Sequence, residues 1–574
     1  MSMSRREFLQ VLAAAAASGL VLDSKSVLAG NLPAHFYDMP ASGNVSFLHF
    51  TDCHAQLMPV WFREPNVNLG VGSSNGKVPH LVGDKFLKHY GIKPGTADAA
   101  AFTYIDFDTA SKAYGRVGGF AHLKTLVDKM RASRPGALLL DGGDTWQGSA
   151  TSLWTKAQDM VDACIQLGVD VMTPHWEATF GADRMMEVVQ NDFAKNGVEF
   201  VAQNIITNEF GDQVFKPYVM KQMNGIQVAI IGQAFPYTPI ANPRYMVPDW
   251  SFGIRDESMQ GFVDEARAKG AKVVVVLSHN GMDVDLKMAS RVNGIDAIFG
   301  GHTHDGIYQP VPVKGPDGGT CLVTNAGSNG KFLGVMDFDV KNDKVVGWKY
   351  RLLPVFSNFL AADPKMEALI KKIRAPYEAK LSEVLAVNED TLYRRGNFNG
   401  TWDEVICQAL IEGKGADAAF SPGVRWGTSI MPGEPITYER MMDQMAITYP
   451  QTTLNSFTGA QIKDIMEDVC DNLFNADPYY QQGGDMVRTG GIQYSVRPGA
   501  TIGNRIGDMM IKGKPVDPNK KYKMAGWASV TEGVQGTPIW DVVADYLRDK
   551  KVIKNVKLYQ PKIIGMEGNP GIAL

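Results

Sequence analysis

The sequence predicts an α/β (α+β) protein with two domains behind an export signal. Three observations carry this. The chain has 574 residues, which suits two or three domains rather than one. From residue 45 to residue 325 one unit recurs: an apolar run that reads as a buried strand, then a polar turn bearing Asp or His. Beyond it, a helix with an apolar stripe and an interrupting proline leads into a last stretch that contains no histidine.

Composition excludes several classes. Apolar residues make up 45% and charged residues 21%, ordinary for a globular protein. The net charge is −4, so no basic face for nucleic acid is expected. The five cysteines, Cys53, Cys164, Cys321, Cys407 and Cys470, lie far apart and form no Cys-x-x-Cys zinc or redox pattern. Their odd number excludes a fully paired disulfide framework.

The N-terminus reads as a targeting segment. Ser4-Arg5-Arg6-Glu7-Phe8-Leu9 is a twin-arginine pattern ahead of an alanine-rich apolar stretch, and Val27-Leu28-Ala29 offers small-residue cleavage. Residues 1–29 are therefore expected to be removed on export to the periplasm. No later stretch is long and apolar enough to span a bilayer, so the mature protein is expected off the membrane.

Residues 30–355 are expected to form the first domain. Val45 to Phe50 alternates like a strand and breaks into Thr51-Asp52-Cys53-His54. Residues i and i+2 of an extended segment point to one side, so Asp52 and His54 make half a metal site. Residues 58–115, rich in Gly, Pro and Asn, read as a long loop or small insertion. Gly119-Phe120 then opens a helix. Ala137 to Leu140 is a strand ending in Asp141-Gly142-Gly143-Asp144. Asp144 is the candidate ligand, and Asp141 is expected to form the turn or support it.

Further strands lead into Pro174-His175-Trp176-Glu177, Ser278-His279-Asn280-Gly281 and Gly300-Gly301-His302-Thr303-His304. Ligands of α/β folds bind at the carboxyl ends of strands. Convergence of these turns supplies Asp52, His54, Asp144, His175, His279, His302 and His304. Seven such donors suffice for two metals when one carboxylate bridges. Five of the ten histidines lie in these turns, and none follows His304.

Asp363-Pro364 is a good helix start, with Met366, Leu369, Ile370 and Ile373 on one face and Pro376 as an interruption. It is expected to link the domains over residues 356–385. The second domain, residues 386–574, carries Ser421-Pro422-Gly423-Val424-Arg425. Arg425, with Arg488 behind it, is the candidate anion clamp.

The order of these motifs resembles the calcineurin-like metallophosphoesterases, and the second domain narrows the resemblance to the 5′-nucleotidase group. It implies a four-layer αββα sandwich holding two metals, followed by a smaller C-terminal α/β substrate domain. It implies Asp52, His54 and His304 on one metal, His175, His279 and His302 on the other, and Asp144 between them. Nucleotidases carry Gly-Asn-His-Glu-Phe-Asp in the third motif, with a catalytic His that the Asp orients. Here Trp176 stands at the His position and Thr179 at the Asp position. Where nucleotidases place a base-stacking aromatic after a glycine run, this chain has Gly483-Gly484-Asp485-Met486.

Asp-Cys-His-Ala-Gln-Leu, the Pro-His-Trp-Glu turn, the insertion and the twin-arginine signal are together similar to the SoxB family, the thiosulfohydrolases of bacterial sulfur oxidation. That resemblance implies two manganese ions, although zinc or iron also suits mixed His/carboxylate donors. It implies release of sulfate from a cysteine-S-thiosulfonate on the SoxYZ carrier protein. The nucleophile is a water acidified by the two metals. The leaving persulfide is a stable anion, so a catalytic histidine is dispensable. Trp176, Arg425 and Arg488 are then the candidate catalytic residues, with Trp176 lining a channel for the carrier arm. The chain is expected to act as a monomer. The competing expectations are a periplasmic 5′-nucleotidase and a non-catalytic metal-dependent binding protein.

Overall fold

The computed structural model describes residues 32–66, 69–482 and 484–572. The twin-arginine segment and Gly483 lie outside the described residues. Twelve strands build two sheets: β1 Val45–Phe50, β2 Leu138–Asp141, β3 Val171–Met172, β4 Glu199–Phe200, β5 Tyr218–Met223, β6 Ile226–Gln233, β7 Val273–Ser278, β8 Ala297–Gly300, β9 Val311–Lys314, β10 Thr320–Asn325, β11 Phe332–Lys341 and β12 Lys344–Pro354. Each sheet has six strands, in the orders β12-β11-β1-β2-β3-β4 and β9-β10-β8-β7-β6-β5. Neighbours from β1 to β4 are parallel, as are β6, β7, β8 and β10. The remaining edge strands pair antiparallel.

The burial of β7 shows why its run of valines forms a strand. Val273, Val275 and Leu277 point between the sheets, against Phe47, Leu140, Ile230 and Phe299. Val274 and Val276 point the other way, against Met259, Val263 and Met288. A strand covered on both faces reads as continuous apolar sequence. Each fully buried valine contributes on the order of 1.5–3 kcal/mol relative to exposure.

The covering helices complete four layers. Helices α1 Gly83–Tyr90, α2 Ala97–Phe102, α3 Phe107–Tyr114, α4 Phe120–Ala132 and α5 Gln158–Leu167 contribute to the core outside the first sheet. Helices α6 Asp256–Ala268 and α7 Met282–Ala289 cover the second.

Residues 58–115 differ from the loop expected of them, because α1, α2 and α3 lie within them. Phe86 and Phe102 stack on one another and Phe102 on Phe332, while Tyr114 stacks on Phe356. Thr96 caps the alanine-rich α2 by accepting from the Ala99 amide. Burial against the first sheet, together with the helix propensity of alanine, outweighs the glycines and prolines around them.

Helix α8, Pro364–Arg374, starts as its sequence dictates, with the Asp363 side chain accepting from the Met366 amide. It ends before Pro376, whose ring disfavours helical backbone in the residue ahead of it. Met366 and Ile370 are buried in the same core as α4 and α5. The following residues carry three further sheets, of three, four and four strands, around two more apolar clusters. Among the described residues, no helix is long and apolar enough to cross a membrane.

Candidate metal centre

The carboxyl ends of β1, β2, β3, β7 and β8 deliver the polar turns to one place. The turns do so by left-handed backbone rather than by the extended segments expected from i, i+2 spacing. Asp52, His54, Asp144, His302 and His304 all have φ between 45° and 71°. Each such residue costs on the order of 1–3 kcal/mol and persists only where its surroundings over-determine it. Glycine enables the close packing: a Cβ on Gly301 would sit 2.5 Å from Thr51 Oγ1 and 2.9 Å from His279 Nδ1.

All seven sequence-predicted donors are buried, and they form two groups that share Asp144. One contains Asp52, His54, Asp144 and His304; the other contains Asp144, His175, His279 and His302. His54 Nε2 lies 3.1 Å from His304 Nε2, which is 3.1 Å from Asp52 Oδ1. Asp144 reaches His175 Nδ1 at 3.0 Å and His279 Nε2 at 3.0 Å.

The donor chemistry fits metal ions. His175 Nε2 and both ring nitrogens of His302 are buried without a hydrogen-bond partner among the described residues. His54 Nδ1 donates to the Gln147 carbonyl at 3.1 Å and His279 Nδ1 to the Gly142 carbonyl at 2.5 Å. Both bonds turn Nε2 inward, the usual support of a metal-binding imidazole. Burial pushes His54 and His175 down to about 4, so both are neutral donors at pH 7. Burial opposes protonation of His279 too, but Asp144 and Asp52 outweigh it and raise it to about 10. The carboxylates thus create a demand for positive charge that a cation meets.

Glu177, the last residue of the Pro-His-Trp-Glu turn, organises two of the turns. Its Oε1 accepts from the Thr145 and Trp146 amides, at 2.8 and 3.2 Å. Its Oε2 accepts from His175 and Asp144, at 2.8 and 3.3 Å. Asp141 lies in neither donor group. Its Oδ1 accepts from the Gly143 amide and Thr145 Oγ1, at 3.0 and 2.7 Å, so it supports the turn.

A cavity of about 350 Å³ leads to the donors, past Trp176, Phe235, Trp426 and Tyr449. Trp176 packs edge-on to Trp426, with centroids 4.9 Å apart, and parallel to Tyr449 at 6.2 Å. Its backbone amide donates to Asp144 Oδ1 at 2.9 Å. Every histidine lining this cavity belongs to one of the two donor groups.

Arg425 lines the same cavity. Its Nε lies 3.0 Å from Asp485 Oδ1, and its Nη1 donates to the His302 carbonyl at 3.3 Å. Arg488, the second expected clamp residue, is not there. It is fully buried, donates to the Gly396 and Phe398 carbonyls, and lies 3.5 Å from Asp403. A guanidinium has five donors, and internal acceptors engage this one. Arg395, which sequence reasoning missed, lies beside Arg425 instead, with Nε 3.0 Å from Asp485 Oδ2 and Nη1 donating to the Thr303 carbonyl at 3.2 Å. The only signal for it was the Arg394-Arg395 pair ahead of Gly396. Burial opposes ionisation of Asp485, but Arg395, Arg425 and Arg488 outweigh it and hold its carboxyl well below the usual range.

Comparison with known proteins agrees with this geometry. The family described as the 5′-nucleotidase C-terminal domain matches residues 386–544. The sulfate thiohydrolase SoxB of Thermus thermophilus superposes with a TM-score of 0.86 at 35% identity, over 92% of this chain and 98% of its own. A 5′-nucleotidase precursor from the same organism shares the fold, with a TM-score of 0.70 at 21% identity over 91% and 99%. Protein UshA of Yersinia enterocolitica is 24% identical over 517 residues, covering 77% of this chain and 89% of UshA. The chain belongs to the SoxB family of hydrolases, within the 5′-nucleotidase and calcineurin-like metallophosphoesterase superfamily.

Proposed function

We propose that this protein hydrolyses a cysteine-S-thiosulfonate on a SoxYZ-type carrier protein and releases sulfate, in the periplasm after twin-arginine export. The observation that carries this is the aromatic approach to the donor groups. Trp176 occupies the position of the nucleotidases' catalytic histidine, and among the described residues no histidine outside the two donor groups lines the cavity. A phosphate ester releases an alkoxide, which a general acid helps to leave. Cleavage of the terminal S–S bond leaves its electron pair on a persulfide, which needs no such help.

In this reading the seven donors hold two divalent ions, manganese by the family resemblance. When bound, they acidify a water and polarise the sulfonate. The protein's own residues supply the rest. Asp144 joins the two donor groups. Glu177 holds their turns in register through four backbone amides. Arg395 and Arg425 present guanidinium groups to the sulfonate oxygens. Trp176, Trp426 and Tyr449 form the walls along which a narrow carrier arm enters.

Sulfate release from thiosulfonate-loaded carrier, with metal analysis of the same sample, tests this. Stoichiometric sulfate is expected. Efficient AMP hydrolysis with no sulfate release would reject the reading in favour of a phosphoesterase, the alternative that the match to the nucleotidase C-terminal domain favours.

A further inference from the structure

We propose that Asp485 sets the net charge of the anion clamp, so that the site prefers a singly charged sulfonate to doubly charged oxyanions such as sulfate or a phosphate monoester. This rests on the thiosulfonate reading of the site. Asp485 stands at the meeting of two cavities. One is the 350 Å³ approach; the other, about 80 Å³, lies between the second domain and His80 and Asp283, which pair at 2.8 Å. His302, Arg425 and Asp485 line both.

Three arginines touch the Asp485 carboxylate, at 3.0, 3.0 and 2.9 Å. They are not equivalent. Arg488 turns into the protein and lines neither cavity. Arg395 and Arg425 hold the backbone carbonyls of Thr303 and His302 at the donor groups. Of this cluster, two guanidinium groups and the Asp485 carboxylate face those groups, so the carboxylate removes one unit of positive charge from the clamp.

A sulfonate carries one negative charge near neutral pH. A phosphate monoester, with its second pKa near 6, carries close to two. Hydrolysis itself changes this count. Water oxygen bonds to the sulfonate sulfur, the S–S bond breaks, the persulfide takes the electron pair, and two protons leave. The product sulfate then has one more negative charge than the sulfonate it came from. A carboxylate within the clamp disfavours that extra charge, which discriminates against phosphate esters and promotes release of sulfate.

Asp485→Asn, Asp485→Glu and Asp485→Asn/Arg395→Gln in the metal-loaded full-length protein test the proposal. Sulfate affinity is read by titration calorimetry, which needs no turnover, and folding by circular dichroism. Hydrolysis of p-nitrophenyl phosphate is compared with sulfate release from the loaded carrier. Asp485→Asn is expected to bind sulfate about tenfold tighter or more, the effect of one unit charge at contact in a partly desolvated site. Its ratio of phosphate-ester to thiosulfonate turnover should rise by a similar factor.

Asp485→Glu keeps the charge and should stay within about threefold of the parent. The double variant removes one positive charge from Asp485→Asn, so its sulfate affinity should fall below that of Asp485→Asn; if Asp485→Asn fails to fold, Arg395→Gln alone, one positive charge below the parent, should bind sulfate more weakly than the parent. A folded Asp485→Asn with parental sulfate affinity overturns the proposal, as does a double variant that binds sulfate as tightly as Asp485→Asn. Failure of the parent to release sulfate from the carrier overturns the thiosulfonate reading instead, and the sulfate titrations still decide the charge role.

Discussion

Glu177 Oε1 accepts a hydrogen bond from the Thr145 backbone amide at 2.8 Å, joining the turn that carries His175 to the turn that carries Asp144. One carboxylate takes four backbone N–H groups in this way. The relative placement of two metal donors therefore depends on a side chain that lies in neither donor group.

Replacing Glu177 with Gln tests that dependence. An amide nitrogen cannot accept, so at least one buried N–H loses its partner, at a cost of about 1–3 kcal/mol. Misplaced support for metal donors typically weakens binding about 10–100-fold. A lower Tm and a weakened manganese titration are expected; unchanged values in both would reject the role.

The sharing of Asp144 predicts unequal metal losses. His304→Ala removes a donor from one group only, so elemental analysis should find about one ion retained per chain, whereas Asp144→Ala damages both groups and should lower occupancy of both. Chelation should abolish sulfate release, and added manganese should restore it.

Trp176→His returns the nucleotidase residue to the third motif. In the proposed function it narrows no barrier and removes an aromatic wall contacting Trp426 and Tyr449. Sulfate release from the carrier should fall about tenfold or more, which corresponds to about 1.4 kcal/mol of lost transition-state stabilisation. Unchanged carrier turnover, together with efficient AMP hydrolysis by the parent, would remove the basis for the thiosulfonate reading.

Asp159, on α5 and 1% exposed, predicts a pH-dependent stability away from the metal centre. Burial pushes its carboxyl up to about 6, against hydrogen bonds from Thr155 Oγ1 and the Met160 amide. Because the folded state holds this proton more tightly than the unfolded one, Asp159 favours folding most below pH 4, and that advantage is lost as pH rises to about 6. Asp159→Asn removes the burden of a buried charge. Relative to the parent it should gain on the order of 1–3 kcal/mol between pH 4 and pH 7. Denaturant unfolding at the two pH values checks this; an equal difference at both would show that Asp159 does not titrate in this range.

Legibility followed distance along the chain. Strand runs such as Val273–Ser278 and the Asp363 cap were readable, because burial period and capping act within a few residues. The α1–α3 segment was not. Its glycines and prolines are local, whereas the contacts that fold it, Phe102 on Phe332 and Tyr114 on Phe356, are distant. The two arginine expectations divide on the same line. Arg425 and Arg488 each follow a turn, and only the packed structure shows that Arg425 lines the cavity and Arg488 does not.

By itself the sequence determined the α/β class, the strand-then-turn unit and the seven candidate donors that the fold brings together, since metal chemistry restricts which side chains serve and strand ends restrict where. Tertiary structure alone decided the left-handed backbone that aims five of those donors, the Glu177 tether and the three arginines gathered on Asp485. Each of these arises from groups far apart in sequence whose energies exist only once the sheets and the second domain have closed around them.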